Sequence, residues 1–207
     1  QAVPVVFTTQ LLGATEEPPT GSPGTGSGRV TIDTDAGTFR IETSFAGLLA
    51  PTTAAHIHCC TDVAGSGNAS VATQVPVFID FPLGVTSGSY DHVFGLLDAA
   101  SYNAAFVTAS GGTVAGAAAA FVAGIEGGMA YLNIHSLDFP VGEIRGFLAP
   151  IPEPAPVMTA TPPLNSSCAP MAEVNRRAGA RAGRKSDQWN AGQTGCAATS
   201  AFGAARS

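Results

Sequence analysis

Charge is scarce in this sequence. Only 12% of its 207 residues are Asp, Glu, Lys or Arg, about half the usual share of roughly 25%. Positive charge is the scarcest over the first 150 residues, which hold 12 acidic against 3 basic residues, a net charge of −9. A body of that sign lacks the basic footprint that phosphate binding needs, which argues against nucleic acid as a partner and suits a cation. There is no run of 18 or more apolar residues, so no transmembrane helix is expected. The opening Gln1-Ala2-Val3-Pro4 lacks the basic start and apolar stretch of a signal peptide. A chain that starts at Gln reads as a mature protein whose signal has been removed, secreted or exposed at the cell surface, where disulfides persist.

Catalytic motifs are missing as well. No G-x-S-x-G elbow occurs, and Gly65-Ser66-Gly67 does not have its spacing. The Gly-rich stretch over 21–28 does not run into a helical pattern, so it is no phosphate loop. No pair of carboxylates is assignable to glycoside chemistry, and no fixed-period repeat is present. These absences favour a non-catalytic module.

What the chain does have is apolar residues, at 45%, arranged in short alternating runs. A strand puts successive side chains on opposite faces. Val3 to Leu12 reads as a first strand. The Gly/Pro/Ser/Thr segment from Gly13 to Gly28 is expected to be loop, unfit for a helix or a central strand. Arg29–Thr34 and Thr38–Phe45 flank Asp35-Ala36-Gly37 and form a hairpin. Further strands are expected at Ala54–Cys60, Val75–Phe81, Gly88–Leu97, Gly128–His135 and Val141–Leu148. Short helices are expected at Asp98–Ala105, with Asp98 as N-cap, and at the Ala-rich 115–124, closing at Gly124. About eight strands with turns between them and one or two short helices predict an all-β fold, an antiparallel sandwich of Greek-key or barrel-like kind. The domain is expected to end at Pro150. Beyond it come the stiff Ile151-Pro152-Glu153-Pro154-Ala155-Pro156 linker and a basic tail to residue 207 with the composition of a disordered segment.

Within this pattern, Thr53-Ala54-Ala55-His56-Ile57-His58-Cys59-Cys60 and Tyr131-Leu132-Asn133-Ile134-His135 hold three of the four histidines and two of the four cysteines. His56 and His58 share a strand face, their Cα atoms roughly 6.5 Å apart. Asn133 and His135 share a face in the second segment. With Ile57, Leu132 and Ile134 turned to the core, all three histidines face outward, and on neighbouring strands they converge on one metal ion. Imidazole suits copper and zinc, and thiolate adds copper(I) or zinc preference. The candidate ligands are His56, His58, His135 and, if the strand stays regular, Cys60; copper is favoured over zinc. The bland alternative is three polar residues hydrogen-bonded on a solvated sheet face. Cys59 and Cys60 are open to four readings: thiolate ligands, an adjacent disulfide, partners of other cysteines, or plain buried small apolar residues. Cys168 and Cys196 are free to bridge each other. His92, beside Asp91 in a separate strand, reads as structural. Glu143 and Arg145 read as a structural ion pair, and Glu16 and Glu17 as a solvated turn or as residues reaching a cation or an adjacent loop.

Four motifs together carry a resemblance: Glu17-Pro18-Pro19 after Leu11-Leu12-Gly13, Thr53-Ala54-Ala55-His56-Ile57-His58, Tyr131-Leu132-Asn133-Ile134-His135, and Gly142-Glu143-Ile144-Arg145-Gly146. In this order over residues 3–149 they resemble the CHRD domain, the module named after chordin. The resemblance implies a secreted β-sandwich with no established enzymatic activity. Cys59-Cys60, where other members have glycines, resembles a bacterial subgroup. Ile151-Pro152-Glu153-Pro154 is similar to the opening of a PEP-CTERM sorting signal, although no apolar helix follows and the arginines are dispersed.

The expectation is therefore a non-catalytic, extracellular metal-binding module. Its rivals are a structural subunit of a matrix, surface layer or filament, assembled by strand addition through an edge or through Gln1–Leu12, and a copper redox enzyme on a superoxide-dismutase-like sandwich, an architectural analogy only.

Overall fold

The structure is a computed structural model, and it describes residues 3–151; the expectations for the linker, the tail and Cys168–Cys196 lie outside these residues. Eight strands form one antiparallel sheet: β1 (Val5–Leu12), β2 (Thr25–Asp33), β3 (Thr38–Ala46), β4 (Thr52–His58), β5 (Gly88–Gly95), β6 (Tyr131–Ser136), β7 (Ile144–Phe147) and β8 (Ala149–Pro150). Their spatial order is β4-β6-β7-β1-β2-β3-β5, with β8 paired to β1. The sheet curls into a half-barrel, in keeping with the expected all-β, sandwich or barrel-like class.

Alternation decides the inner face. Phe7 and Leu11 of β1, Val30 and Ile32 of β2, and Phe39, Ile41 and Phe45 of β3 are all buried, while their neighbours in sequence point out. The curl is filled by helix α2 (Val114–Glu126), which lays Phe121 against Phe39 at a centroid distance of 5.0 Å. A fully buried side chain of this size contributes roughly 1.5–3 kcal/mol through the hydrophobic effect, so the aromatic cluster of Phe39, Phe78, Phe94, Tyr102 and Phe121 is a main source of stability.

Several local expectations are corrected. The Gly-rich segment is not all loop: Thr25–Gly28 opens β2 and pairs with both β1 and β3. Its glycines make room for side chains crossing the curl, since a Cβ on Gly28 would lie 2.7 Å from Leu132 Cδ2. Val75–Phe81 forms no strand but an irregular segment that buries Phe78 and Phe81. Asp98 caps a single 3-10 turn (Ala99–Ser101), and Asn103 caps the separate helix α1 (Ala104–Ala109). Helix α2 runs past Gly124. It closes at Gly127–Gly128, where the Met129 amide reaches the Gly124 carbonyl, the Gly128 amide reaches the Ile125 carbonyl, and Gly128 takes φ +67°, a Schellman closure. Gly124 itself is needed for packing, because a Cβ there would collide with both sulfurs of a Cys59–Cys60 disulfide. Finally, the N-terminal strand is held on both sides, by β2 and by β7 and β8. That removes Val5–Leu12 as a free donor strand.

Candidate metal centre

Strand β4 runs antiparallel to β6, with His56 opposite Asn133, His58 opposite Tyr131 and His135 opposite Ala54. This register sets His135 diagonal to His56, within reach across the ladder. Ile57, Leu132 and Ile134 face the core as expected, with no exposure. The other face is not solvated, however. His56, His58 and His135 are only 6%, 8% and 7% exposed, because the segments around 69–76 and 137–142 fold back over them.

Those covering segments determine the chemistry. His56 Nε2 donates to the Pro76 carbonyl at 2.7 Å, His58 Nδ1 to the Ala69 carbonyl at 2.9 Å, and His135 Nδ1 to the Pro140 carbonyl at 3.1 Å. A carbonyl oxygen only accepts, so each of these ring nitrogens carries the hydrogen. In a neutral imidazole the remaining nitrogen then presents a lone pair. Those remaining nitrogens, His56 Nδ1, His58 Nε2 and His135 Nε2, point at one another.

The donor atoms of the three residues lie within 4.8 Å of one another. His56 Nδ1 and His135 Nε2 are 3.3 Å apart, and His58 Nε2 is buried with no hydrogen-bond partner among the described residues. Burial lowers the affinity of all three rings for a proton: His56 is shifted below the usual range, and His58 and His135 are pushed down to about 4. Repulsion from His56 and from Arg145 adds to the shift for His58, and repulsion from His56 and His58 adds to that for His135. Neutral imidazoles with facing lone pairs repel; a cation between them turns that repulsion into coordination. Ligands about 2.0–2.1 Å from an ion sit roughly 3.3–3.6 Å from each other, which the His56–His135 pair already satisfies. The hydrogen bonds from the outer ring nitrogens to carbonyls are the usual support of metal-bound histidine.

Aromatic side chains wall the site. Phe78 lies 6.2 Å from the His56 ring, and Tyr131 stacks on His58 at 4.8 Å with a 7° interplanar angle. The carbonyls of Ala69, Pro76 and Pro140 and the ring of Tyr131 had no signal in the residue types alone. Only the pairing of His58 with Tyr131 in the register brings that ring to the site.

Cys60 is not part of this group. Strand β4 ends at His58, so the alternation that would have turned Cys60 toward the histidines stops two residues short. Its sulfur is bonded to that of Cys59 and faces the Ala120 carbonyl on α2. His92 lies on β5 and packs against Phe94 at 4.7 Å, apart from the cluster.

Glu143 and Arg145 are both buried, but they do not pair with each other. Glu143 accepts from Ser22 Oγ and the Leu49 amide, each at 2.6 Å, and from Ser136 Oγ. Arg145 faces Glu16 at 3.7 Å and Glu17 at 3.3 Å, and donates to the Thr15 carbonyl and Asn68 Oδ1, both at 2.6 Å. The Glu16-Glu17 turn is thus fastened to an arginine about 130 residues away in sequence. Glu16 is buried, and its carboxyl is raised to about 7 by desolvation, with Arg145 pulling the other way. No described helix is long and apolar enough to cross a membrane.

The family model of the CHRD domain matches residues 7–148, which include all three histidines and the Glu17 and Arg145 motifs. No curated protein and no solved structure matches the chain.

Proposed function

This chain belongs to the CHRD domain family, and we propose that it is a secreted or surface-exposed, non-catalytic module that binds one metal ion, copper in preference to zinc, through His56, His58 and His135. The observation that carries this reading is the convergence of three buried, neutral imidazoles whose outer nitrogens are each tied to a backbone carbonyl. Copper is favoured because nitrogen donors bind it more tightly than zinc; Cys60, bonded to Cys59, supplies no thiolate. The bacterial character of the Cys59-Cys60 variant and a PEP-CTERM-like tail belong to the same reading.

The test is metal content of the isolated protein by elemental mass spectrometry, followed by copper and zinc titration of the chelator-stripped form. About one ion per chain is expected. His56→Ala and His135→Ala should each weaken binding by more than the roughly 10–100-fold that follows loss of an outer-shell partner. No binding at micromolar copper, or unchanged affinity in His135→Ala, overturns the site. Three ligands leave a fourth position for an outside molecule, so turnover of superoxide by the copper form would move the protein to the redox reading.

A second reading has one observation behind it. Among the described residues, strand β5 ends the sheet order with no strand beyond it, so it offers an edge to a second copy. Sedimentation across concentrations tests this: a monomer throughout removes assembly through that edge.

A further inference from the structure

The histidine cluster depends on a surface loop. Residues 65–70 are exposed or half-exposed, yet the Ala69 carbonyl in that loop is what holds the hydrogen on His58 Nδ1 and turns Nε2 inward. An exposed loop rich in glycine holds one position only if it is tethered. On its downstream side the tether is backbone, from the Cys59 amide to the Ser70 carbonyl at 3.1 Å. On its upstream side one backbone bond, from the Gly65 amide to the Gly128 carbonyl at 2.9 Å, holds the start of the loop, and the stretch beyond it, Gly67 to Asn68, is held by side chains. Glu17 Oε2 accepts from the Gly67 amide at 2.9 Å, the Glu17 carbonyl accepts from Asn68 Nδ2 at 3.2 Å, and Asn68 Oδ1 accepts from Arg145 Nη1 at 2.6 Å. Arg145 closes the group by facing Glu17 Oε2 at 3.3 Å.

The same arginine reaches His58 by a second route. Its guanidinium lies 4.7 Å above the Tyr131 ring, whose opposite role is to stack on His58 at 4.8 Å. The Tyr131 hydroxyl is 3.2 Å from both the amide and the carbonyl of Ala69. The loop carbonyl, the tyrosine and the imidazole therefore form one assembly braced by Arg145 and Glu17.

We infer that Glu17 and Asn68 are positioning residues for His58: they fasten the 67–69 loop to Arg145 so that the Ala69 carbonyl selects the His58 tautomer whose Nε2 faces His56 and His135. This rests on the metal reading of the histidine cluster, but its first readout needs no metal. Neither side chain touches an imidazole, and both lie on the surface side of the loop, with Glu17 53% exposed at its side chain. The inference also accounts for the meeting of two sequence motifs far apart in the chain, Glu17-Pro18-Pro19 and the one containing Arg145.

The experiment compares the whole chain with Asn68→Ala and Glu17→Ala. Ring-nitrogen NMR of the metal-free proteins reads the tautomers directly. In the wild type, His58 and His135 should carry the hydrogen on Nδ1 and His56 on Nε2. In the variants His58 alone should become a mixture of the two tautomers, with His56 and His135 unchanged and the urea midpoint close to wild type. Copper titration should then show affinity lower by about tenfold, the smaller end of what loss of outer-shell support costs. Asn68→Asp, which keeps the oxygen that accepts from Arg145, should recover part of both effects. An unchanged His58 tautomer overturns the inference whatever the copper affinity. A shifted His58 tautomer in proteins that bind no copper, wild type included, upholds the positioning role and rejects the metal reading.

Discussion

Acidifying the metal-free protein should weaken it through His58 and His135. Both rings are buried, and both are pushed from the ordinary value of 6.5 down to about 4. Above pH 6.5 they are neutral whether the chain is folded or not, and they contribute nothing to the pH dependence. Between pH 6.5 and 4 the unfolded chain binds protons that the folded chain refuses, so stability falls as the pH falls. Below about 4 both states are protonated and the loss stops growing. Moving one ring from 6.5 to about 4 amounts to roughly 3 kcal/mol, a large part of a total that is typically about 5–15 kcal/mol. The two rings repel when both are charged, so their shares are not independent. Glu16 has the opposite sign. Its carboxyl is raised to about 7, so its contribution is fully present below 4.5 and is lost as the pH rises through 7. The measurement must therefore be a difference. Urea unfolding followed by far-ultraviolet circular dichroism, with chelator, at pH 7 and pH 4 would be run in a Glu16→Gln background, with and without His135→Asn. The loss on acidification should be smaller by about 3 kcal/mol when His135 is gone. Equal losses in the two proteins would mean that the ring is not held neutral by burial, and the argument for facing lone pairs would fail with it.

Two further outcomes follow from the same structure. Gly124→Ala should destabilise the chain by at least the roughly 1–3 kcal/mol typical of overpacking, since the new methyl would meet both sulfurs of the Cys59–Cys60 bridge; a melting temperature equal to wild type would show that α2 and the bridge do not pack in this way. Copper at about 100 times its dissociation constant should raise unfolding free energy by about 2.7 kcal/mol, the gain should vanish in His56→Ala, and chelator should reverse it; a shift that survives His56→Ala would place the ion elsewhere.

The sequence by itself determined which residues share a face. Alternation is a property of consecutive peptide units, so Phe39, Ile41 and Phe45 could be assigned to the inner face, and His56 and His58 to one side of Ile57, before any strand was paired. The all-β class and the approximate strand count followed from the same pattern, and so did the grouping of the three histidines, because each lies in a short apolar run that reads as strand. Several things had no local expression. The face of β4 opposite the core looked solvated, and only the return of residues 69–76 and 137–142 over it made the imidazoles buried, neutral and oriented. Glycines 26 and 28 looked like loop breakers; they are strand residues because Leu11 and Leu132 occupy the space their side chains would need. Cys60 looked like a fourth ligand until the strand ended at His58 and Gly124 left room for a disulfide. Arg145 looked like the partner of Glu143, its neighbour two residues away, but pairs with Glu16 and Glu17 across the fold. In each case the chain specifies what a residue can do, and contacts made by segments distant in sequence decide which of those things it does.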